Sequence, residues 1–349
     1  MNKGAIDNFL AQNNQPKFRL KQILQAVYQE GASGFAEITV LPKELREIMD
    51  KELNVLSFDV EKVLVSKNKD SHKALLKLND GNLIETVLMH SGAGNYSVCV
   101  STQVGCPMGC RFCATGRGGF KRNLTSEEIA DQVLFWRQYL KNNLKFNPPA
   151  GGQILKLTNV VYMGMGEPFL NWENVSESLK ILTDKNLFGL GSRSISVSTS
   201  GVVEGIEKMA REFSQVNLAI SLHFADDTRR SQFMPVNLKD NLESLRQGLK
   251  NYFQITNRQV FIQYIMLDRI NDTPDDARKL ASYIKSIEKL QLLHVNLIRY
   301  NTTSADLKPS SREVTEYFKE VLLQNGISAT IRKSMGEEIK GACGQLAGE

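Results

Sequence analysis

At 349 residues the chain is long enough for one large domain, or a large and a small one, around a substantial core. Apolar residues at 42% and charged residues at 23% exclude a disordered or collagen-like chain, and five cysteines, an odd number, exclude a fully paired disulfide framework. A net charge of +5 permits an anionic partner such as nucleic acid without requiring one.

The opening residues Met1 to Asp7 contain no long apolar run, so no secretory leader is expected there. No stretch approaches the roughly 18 apolar residues of a membrane span. The expected compartment is the cytoplasm, where clustered thiols are metal ligands or redox groups. Phe18, Leu20, Ile23, Leu24, Val27 and Tyr28 recur at helical spacing, and Leu41 to Leu53 predicts a second helix. The period then changes. Val60–Leu64, Ala74–Leu78 and Leu83–Leu88 are short β-like runs, the last two joined by the turn signal Asn79-Asp80-Gly81-Asn82. Residues 1–91 balance 12 basic against 12 acidic side chains, whereas Ser91 to Ser126 has no acidic residue and carries Arg111, Arg117, Lys121 and Arg122.

From Tyr96 onward short apolar runs alternate with helical patterns. Strands are expected at Tyr96–Ser101, Leu157–Met163, Ser194–Ser198, Val216–Leu222, Gln259–Met266 and His294–Arg299. Helices fall between them: Thr125-x-x-Glu128 opens one through Leu140 as a capping box, and others cover about 173–184, 202–212, 239–254, 274–289 and 311–325. Asn147 to Gly152 is a breaker cluster expected to form a loop. Six strand–helix units predict a parallel sheet with outer helices, for which a curved partial barrel is one solution, with chemistry at the strands' C-terminal ends.

Just past the first of these strands, Cys106-Pro107-Met108-Gly109-Cys110-Arg111-Phe112-Cys113 sets three thiols within eight residues. A structural zinc site is normally four-coordinate, and the next histidine downstream is His223, whereas three thiolates suit a [4Fe-4S] cluster with one iron left open. This C-x3-C-x2-C spacing resembles the radical S-adenosylmethionine (SAM) superfamily, which implies SAM chelated by the open iron and cleaved by one electron. Met163-Gly164-Met165-Gly166-Glu167-Pro168 resembles the segment that meets the SAM amino group in those enzymes. As a lone Gly-x-Gly it would be an ordinary turn.

The match narrows with Cys99 to Cys106, Met163 to Pro168, Ser198-Thr199-Ser200-Gly201, Ser221-Leu222-His223, His294 to Ile298 and Ala342-Cys343-Gly344-Gln345-Leu346. Together these resemble the RlmN/Cfr family of RNA adenine methyltransferases over essentially the whole chain. The resemblance implies an α/β fold: a radical SAM partial (βα)6 barrel at 92–333, a small α+β N-terminal RNA-contacting domain at 1–91, and a short C-terminal extension at 334–349. It implies that Cys106, Cys110 and Cys113 hold the cluster, that Cys343 is methylated by one SAM and carries the methyl group to adenine, and that Cys99 resolves the protein–RNA adduct through a transient disulfide with Cys343. Glu85 matches the family's proton acceptor, a part that Cys99 could also play. Gly166, Glu167, Ser198, Ser221, Leu222, His223 and Asn301 match its SAM contacts.

Each residue also has a plainer reading. Cys99 alone is a small apolar strand residue, Glu85 the exposed face of an alternating strand, Cys343 an incidental thiol, and the SAM-contact positions are caps or turns. The implied partners are 23S ribosomal RNA, tRNA and an electron donor such as flavodoxin or ferredoxin, with Arg117, Lys121, Arg122 and the N-terminal Lys17, Arg19 and Lys21 available to phosphate. Gly166-Glu167-Pro168 and Ser198 to Gly201 favour the RlmN type, which makes 2-methyladenosine. Arg299, where many RlmN members have proline, favours the Cfr type, which methylates C8. A non-catalytic RNA-binding protein with a zinc-stabilised loop is the rival of a different class.

Overall fold

The computed structural model describes residues 1–92, 94–143 and 156–348. The breaker cluster at 147–152 lies outside the described residues. In chain order the helices are α1 (Lys3–Gln12), α2 (Phe18–Leu24, continued by a π-turn to Gln29), α3 (Lys43–Glu52), α4 (Ala114–Arg117), α5 (Ser126–Asn143), α6 (Trp172–Thr183), α7 (Val203–Glu212), α8 (Asp227–Phe233), α9 (Leu242–Ile255), α10 (Pro274–Ser286) and α11 (Arg312–Gln324). The strands are β1 (Phe58–Val65), β2 (Ser71–Leu78), β3 (Leu83–Gly92), β4 (Asn95–Cys99), β5 (Gln103–Gly105), β6 (Phe120–Asn123), β7 (Lys156–Tyr162), β8 (Ile195–Thr199), β9 (Asn217–Ser221), β10 (Val260–Met266), β11 (Leu293–Arg299) and β12 (Ala329–Arg332).

Ten strands form one sheet in the order β1-β2-β3-β4-β7-β8-β9-β10-β11-β12. The first four are antiparallel neighbours, and from β4 onward every pairing is parallel. Parallel strands need a crossover, and helices supply it, so the inner strands carry an apolar residue at every second position on the face that the helices cover. Val160, Ile195, Val197, Leu218, Ile220, Ile262, Val295 and Leu297 are fully buried along them.

The sheet closes part-way on itself. Strands β2 and β11 stand far apart in strand order, yet Glu337 pairs with Arg299 of β11 at 2.9 Å while its neighbour Glu338 accepts the Lys67 amide, in the β1–β2 turn, at 2.5 Å. Two adjacent residues can reach both ends only if the sheet curves between them. The C-terminal segment therefore crosses the mouth of a partial barrel.

Local signals behave as the sequence predicts. The Thr125 hydroxyl accepts the Glu128 amide at 3.2 Å and the Glu128 carboxylate accepts the Thr125 amide at 2.9 Å, the two halves of a capping box. The Asn79–Asn82 turn joins β2 to β3 with Gly81 at φ +81°. Several short or weakly patterned elements were not expected. Helix α1 buries Ile6, Phe9 and Leu10 from a background of Asn and Gln, while α8 and β12 are seven and four residues long, too short for a periodic signal. After Cys99 the chain also leaves the large sheet, where a strand to Ser101 was predicted, and forms the small β5–β6 hairpin around the cysteine loop.

Candidate active site

The three cysteines of the loop lie between β5 and β6. The Cys106 amide donates to Gly119 O at 2.7 Å across the loop's base, and the Cys113 amide to Cys110 O at 3.1 Å. Burial pushes the Cys106 thiol up to about 12 and Cys110 well above the ordinary thiol value, and the neighbouring cysteines raise both further. Thiols that penalise one another's ionisation are close together, and a bound cation is what would reverse the penalty. Among the described residues no three His, Cys, Asp or Glu side chains close on a common point.

Above the loop are the C-terminal ends of the parallel strands. At the end of β7, Gly166 has φ +103°, and a Cβ there would lie 2.6 Å from that of Gln103, so only glycine lets this turn rest on β5. Buried Glu167 does not point into open space. Its carboxylate accepts the Ser200 amide at 2.7 Å, the Ser200 hydroxyl at 2.8 Å and the Phe169 amide at 3.1 Å, which ties the end of β7 to the end of β8. Burial raises its pKa and these hydrogen bonds oppose the rise. The Ser198 and Ser221 hydroxyl oxygens, on β8 and β9, stand 3.5 Å apart. The amide of buried Leu222 donates to Gln263 O of β10 at 3.1 Å.

His223 adopts φ +58°, strained for a residue with a side chain, and its carbonyl is held by Asn271 Nδ2 at 2.8 Å. Its Nδ1 accepts the Ile265 amide at 3.1 Å and its ring meets Phe112 of the cysteine loop edge-on at 4.9 Å. Burial, with the Arg230 charge, pulls its pKa down to about 3, so the ring is neutral and carries its proton on Nε2. The unfolded chain binds this proton near pH 6.5 and the folded one does not until about pH 3, so His223 withdraws stability as pH falls through that window. We expect His223→Gln to flatten the fall in unfolding free energy between pH 6.5 and 4, by up to about 1.4 kcal/mol per pH unit, in denaturant titrations beside the parent chain.

The C-terminal segment completes the site. Gly344 O accepts the Ala114 amide at 2.8 Å, Leu346 O accepts the Thr115 hydroxyl at 2.6 Å, and Cys343 O accepts Asn301 Nδ2 at 3.2 Å. These bonds hold Cys343 against the loop and helix that follow Cys113. Cys343 is open to solvent, yet the mass of protein around it raises its thiol pKa, Cys113 adds to the rise, and the Arg332 charge opposes it. Cys99, buried at the end of β4, is raised chiefly by burial and next by Cys343, so the two sequence-distant thiols share one site. The Met163 amide favours the Cys99 thiolate. Asn301 is buried with its Oδ1 unpartnered, a polar atom aimed at something the protein does not supply. The donor set of three thiols, one orphaned amide oxygen and the strand-end hydroxyls fits a cysteine-bound cluster and a zwitterionic small molecule.

The structure departs from the sequence expectations in three places. Glu85 is buried, not the exposed face of a strand. Arg122 pairs with Asp80 at 2.5 Å and with Glu128 at 2.8 Å, and Arg111 lies 3.5 Å from Asp306, so a segment free of acids in sequence is not free of them in space. Arg117 donates to Thr303 O instead of standing free for phosphate. Two buried cations escaped the sequence reading. Lys73 pairs with Glu85, and Arg230 ties strand ends together. Lys73 was within reach: the β2–β3 turn sets Lys73 opposite Val87 and Leu75 opposite Glu85, making the two charges diagonal cross-strand neighbours. Nothing in the sequence around Arg230 marks it as buried.

No helix among the described residues is long and apolar enough to cross a membrane. Residues 1–55 match a family model described as the ribosomal RNA large subunit methyltransferase N-terminal domain. A protein named ribosomal RNA large subunit methyltransferase Cfr, from Clostridium botulinum (strain Okra / Type B1), is 39% identical over 348 residues, covering 99% of this chain and 97% of its own. A probable dual-specificity RNA methyltransferase RlmN from Thermosipho melanesiensis is 41% identical over 334 residues, covering 95% and 92%. The crystal structure of a radical SAM methyltransferase from Sphaerobacter thermophilus superposes with a TM-score of 0.90 at 37% identity, covering 100% of this chain and 98% of that one. With near-complete coverage at these identities, and a fold that brings the family's motifs to one end of the barrel, the chain belongs to the RlmN/Cfr family of radical SAM ribosomal RNA methyltransferases.

Proposed function

We propose that the chain makes 2-methyladenosine in 23S ribosomal RNA and in the tRNA anticodon loop, in the cytoplasm, by carrying the methyl group on Cys343. The observation behind this reading is that hydrogen bonds to Ala114, Thr115 and Asn301 hold the Cys343 arm against the cysteine loop, near enough to Cys99, 244 positions away in sequence, for Cys343 to help raise that thiol's pKa. Residues 92–333 are the catalytic core in this reading, 1–91 contact RNA, and 334–349 form the arm that presents Cys343.

Cys106, Cys110 and Cys113 would hold the [4Fe-4S] cluster, which when bound passes one electron, received from a flavodoxin or ferredoxin, to SAM and so supplies the radical chemistry. The rest is work for the chain's own side chains. Cys343, once its proton is lost, attacks the methyl carbon of a first SAM, which leaves as S-adenosylhomocysteine; the positive charge of Arg332 favours that thiolate. The backbone at Gly166, Glu167 and Leu222, the Ser198 and Ser221 hydroxyls, neutral His223 and the Asn301 amide line the SAM site. Glu167 acts there through its backbone, because Ser200 and Phe169 occupy its carboxylate. After hydrogen removal the Cys343 methylene adds to an adenine carbon, joining protein to RNA. The adduct, which carries one unpaired electron, must then give up that electron, which the bound cluster would accept, and its ring proton, for which the family resemblance names Glu85 and Cys99 as the candidate bases. Cys99, as its thiolate, then attacks the Cys343 sulfur, the Cys343 carbon–sulfur bond breaks, the released methylene carbon takes up a proton to become the methyl group, and a disulfide remains.

A C8 reading has one specific observation in its favour. Arg299, the residue at the position where many RlmN members have proline, pairs with Glu337 of the Cys343 arm at 2.9 Å. Mass analysis of nucleosides from RNA treated with enzyme, SAM and reductant separates the two. We expect 2-methyladenosine; 8-methyladenosine would overturn the regiochemistry.

A further inference from the structure

Both oxygens of the Glu85 carboxylate are engaged. Its Oε1 lies 2.5 Å from Lys73 Nζ, and its Oε2 accepts the amides of Ala347 at 2.7 Å and Gly348 at 3.1 Å. Both members of the ion pair are buried. With both oxygens engaged and the side chain buried, the carboxylate is shut off from a substrate proton while the C-terminal arm is in place. We propose that Lys73 and Glu85 are positioning residues, a latch that fixes the arm bearing Cys343, and that Glu85 acts on the reaction through this arm instead of on the adenine. The inference rests on the reading of Cys343 as methyl carrier.

The geometry of the arm supports a latch. From Cys343 to Gly348 it is held at Asn301, Ala114, Thr115 and then Glu85, and of these four anchors Glu85 is the charged one. Two successive amides converging on one oxygen form a small anion-binding concavity. Gly348 makes it possible: its φ is +76°, and a Cβ there would sit 2.9 Å from Leu83 O. Lys73 holds the other oxygen so that Oε2 faces the arm. Charge-assisted bonds of this kind are about twice as strong as neutral ones, which suits a terminal segment that would otherwise fray. Leu346, buried immediately before the latched amides, keeps the arm's approach fixed.

The test compares the cluster-loaded parent enzyme with Glu85→Gln, Lys73→Met, Gly348→Ala and a chain shortened after Leu346. The last two leave the ion pair intact, so the test survives if the first two fold poorly. The readouts are the iodoacetamide alkylation rate of Cys343, hydrogen exchange of residues 343–346, which every variant retains, and methylated adenosine formed. All four variants should alkylate Cys343 faster, on the order of 10-fold, and exchange the segment faster. Glu85→Gln made in the shortened chain should then lower methylation less than 2-fold beyond the shortened chain alone, because the arm through which Glu85 acts is already released. The proposal is overturned if Glu85→Gln leaves alkylation and exchange unchanged, or if it lowers methylation as much in the shortened chain as in the full one, which would make Glu85 the base. The methyl-carrier reading fails separately, if the Cys343 peptide of the parent enzyme never gains a methyl group from SAM.

Discussion

A Cys99→Ala chain, given SAM, reductant and RNA, should end covalently joined to its substrate through Cys343. The expected result follows from the division of labour between two thiols. Cys343 is accessible and can take a methyl group, whereas Cys99 is buried at the end of β4 and its charge is felt together with that of Cys343. Addition of the Cys343 methylene to adenine needs nothing from Cys99, but breaking the carbon–sulfur bond needs a second sulfur at Cys343. Alanine keeps the small apolar volume of the buried site, so the fold should tolerate the change. We expect a band of protein–RNA adduct on denaturing gels, with methylated product reduced on the order of 100-fold or more, about 2.7 kcal/mol of barrier. Intact radical chemistry, read as 5′-deoxyadenosine, together with no adduct would remove Cys99 from the resolving role.

Replacing Arg230 should have the largest effect on stability. Its guanidinium is wholly buried beneath the strand ends and bonds Ser200 O at 2.6 Å, Asn237 Oδ1 at 2.7 Å and Leu222 O at 3.2 Å, with Asp240 O at 3.4 Å. No carboxylate neutralises it within salt-bridge distance among the described residues; burial lowers its pKa, and Cys110 is among the groups that raise it. Arg230→Leu leaves several buried acceptors without donors, each costing about 1–3 kcal/mol, so a net loss of about 3–5 kcal/mol is expected. In a chain of this size that is a fall of roughly 4–7 °C in the thermal midpoint, measurable by calorimetry. Lysine should rescue little, because one ammonium cannot reproduce a planar fork reaching three separate carbonyls and an amide. Because Ser200 also anchors Glu167, iron and sulfide uptake at the adjacent loop should fall together with stability; unchanged stability would refute the strand-tying role.

Much of this molecule was legible before any coordinates. The alternation of apolar runs and helical patterns after Tyr96 points to a parallel sheet with outer helices, since a strand with one helix-covered face keeps an apolar residue at every second position and a covering helix keeps a 3.6-residue stripe. The Thr125 and Glu128 capping box and the Gly81 turn were visible because both depend on residues three or four positions apart. Short elements without a full period, such as α8 and β12, were not.

For the site, the sequence determined the inventory: three thiols on one loop, a glycine-rich strand end, a lone cysteine on a strand and another near the C-terminus. Local spacing is enough to place Cys106, Cys110 and Cys113 together, because eight residues cannot separate far. Only the tertiary structure decided which distant groups meet. Curvature of the sheet brings the C-terminal arm back across the barrel mouth, and with it Cys343 to Cys99 and the Ala347 and Gly348 amides to Glu85. The same folding supplied Asp80, Glu128 and Asp306 to arginines that sit in an acid-free stretch of chain. Charge along a sequence is a one-dimensional count. Electrostatic partnership falls off over a few ångströms in three dimensions, and loops and crossovers choose those neighbours.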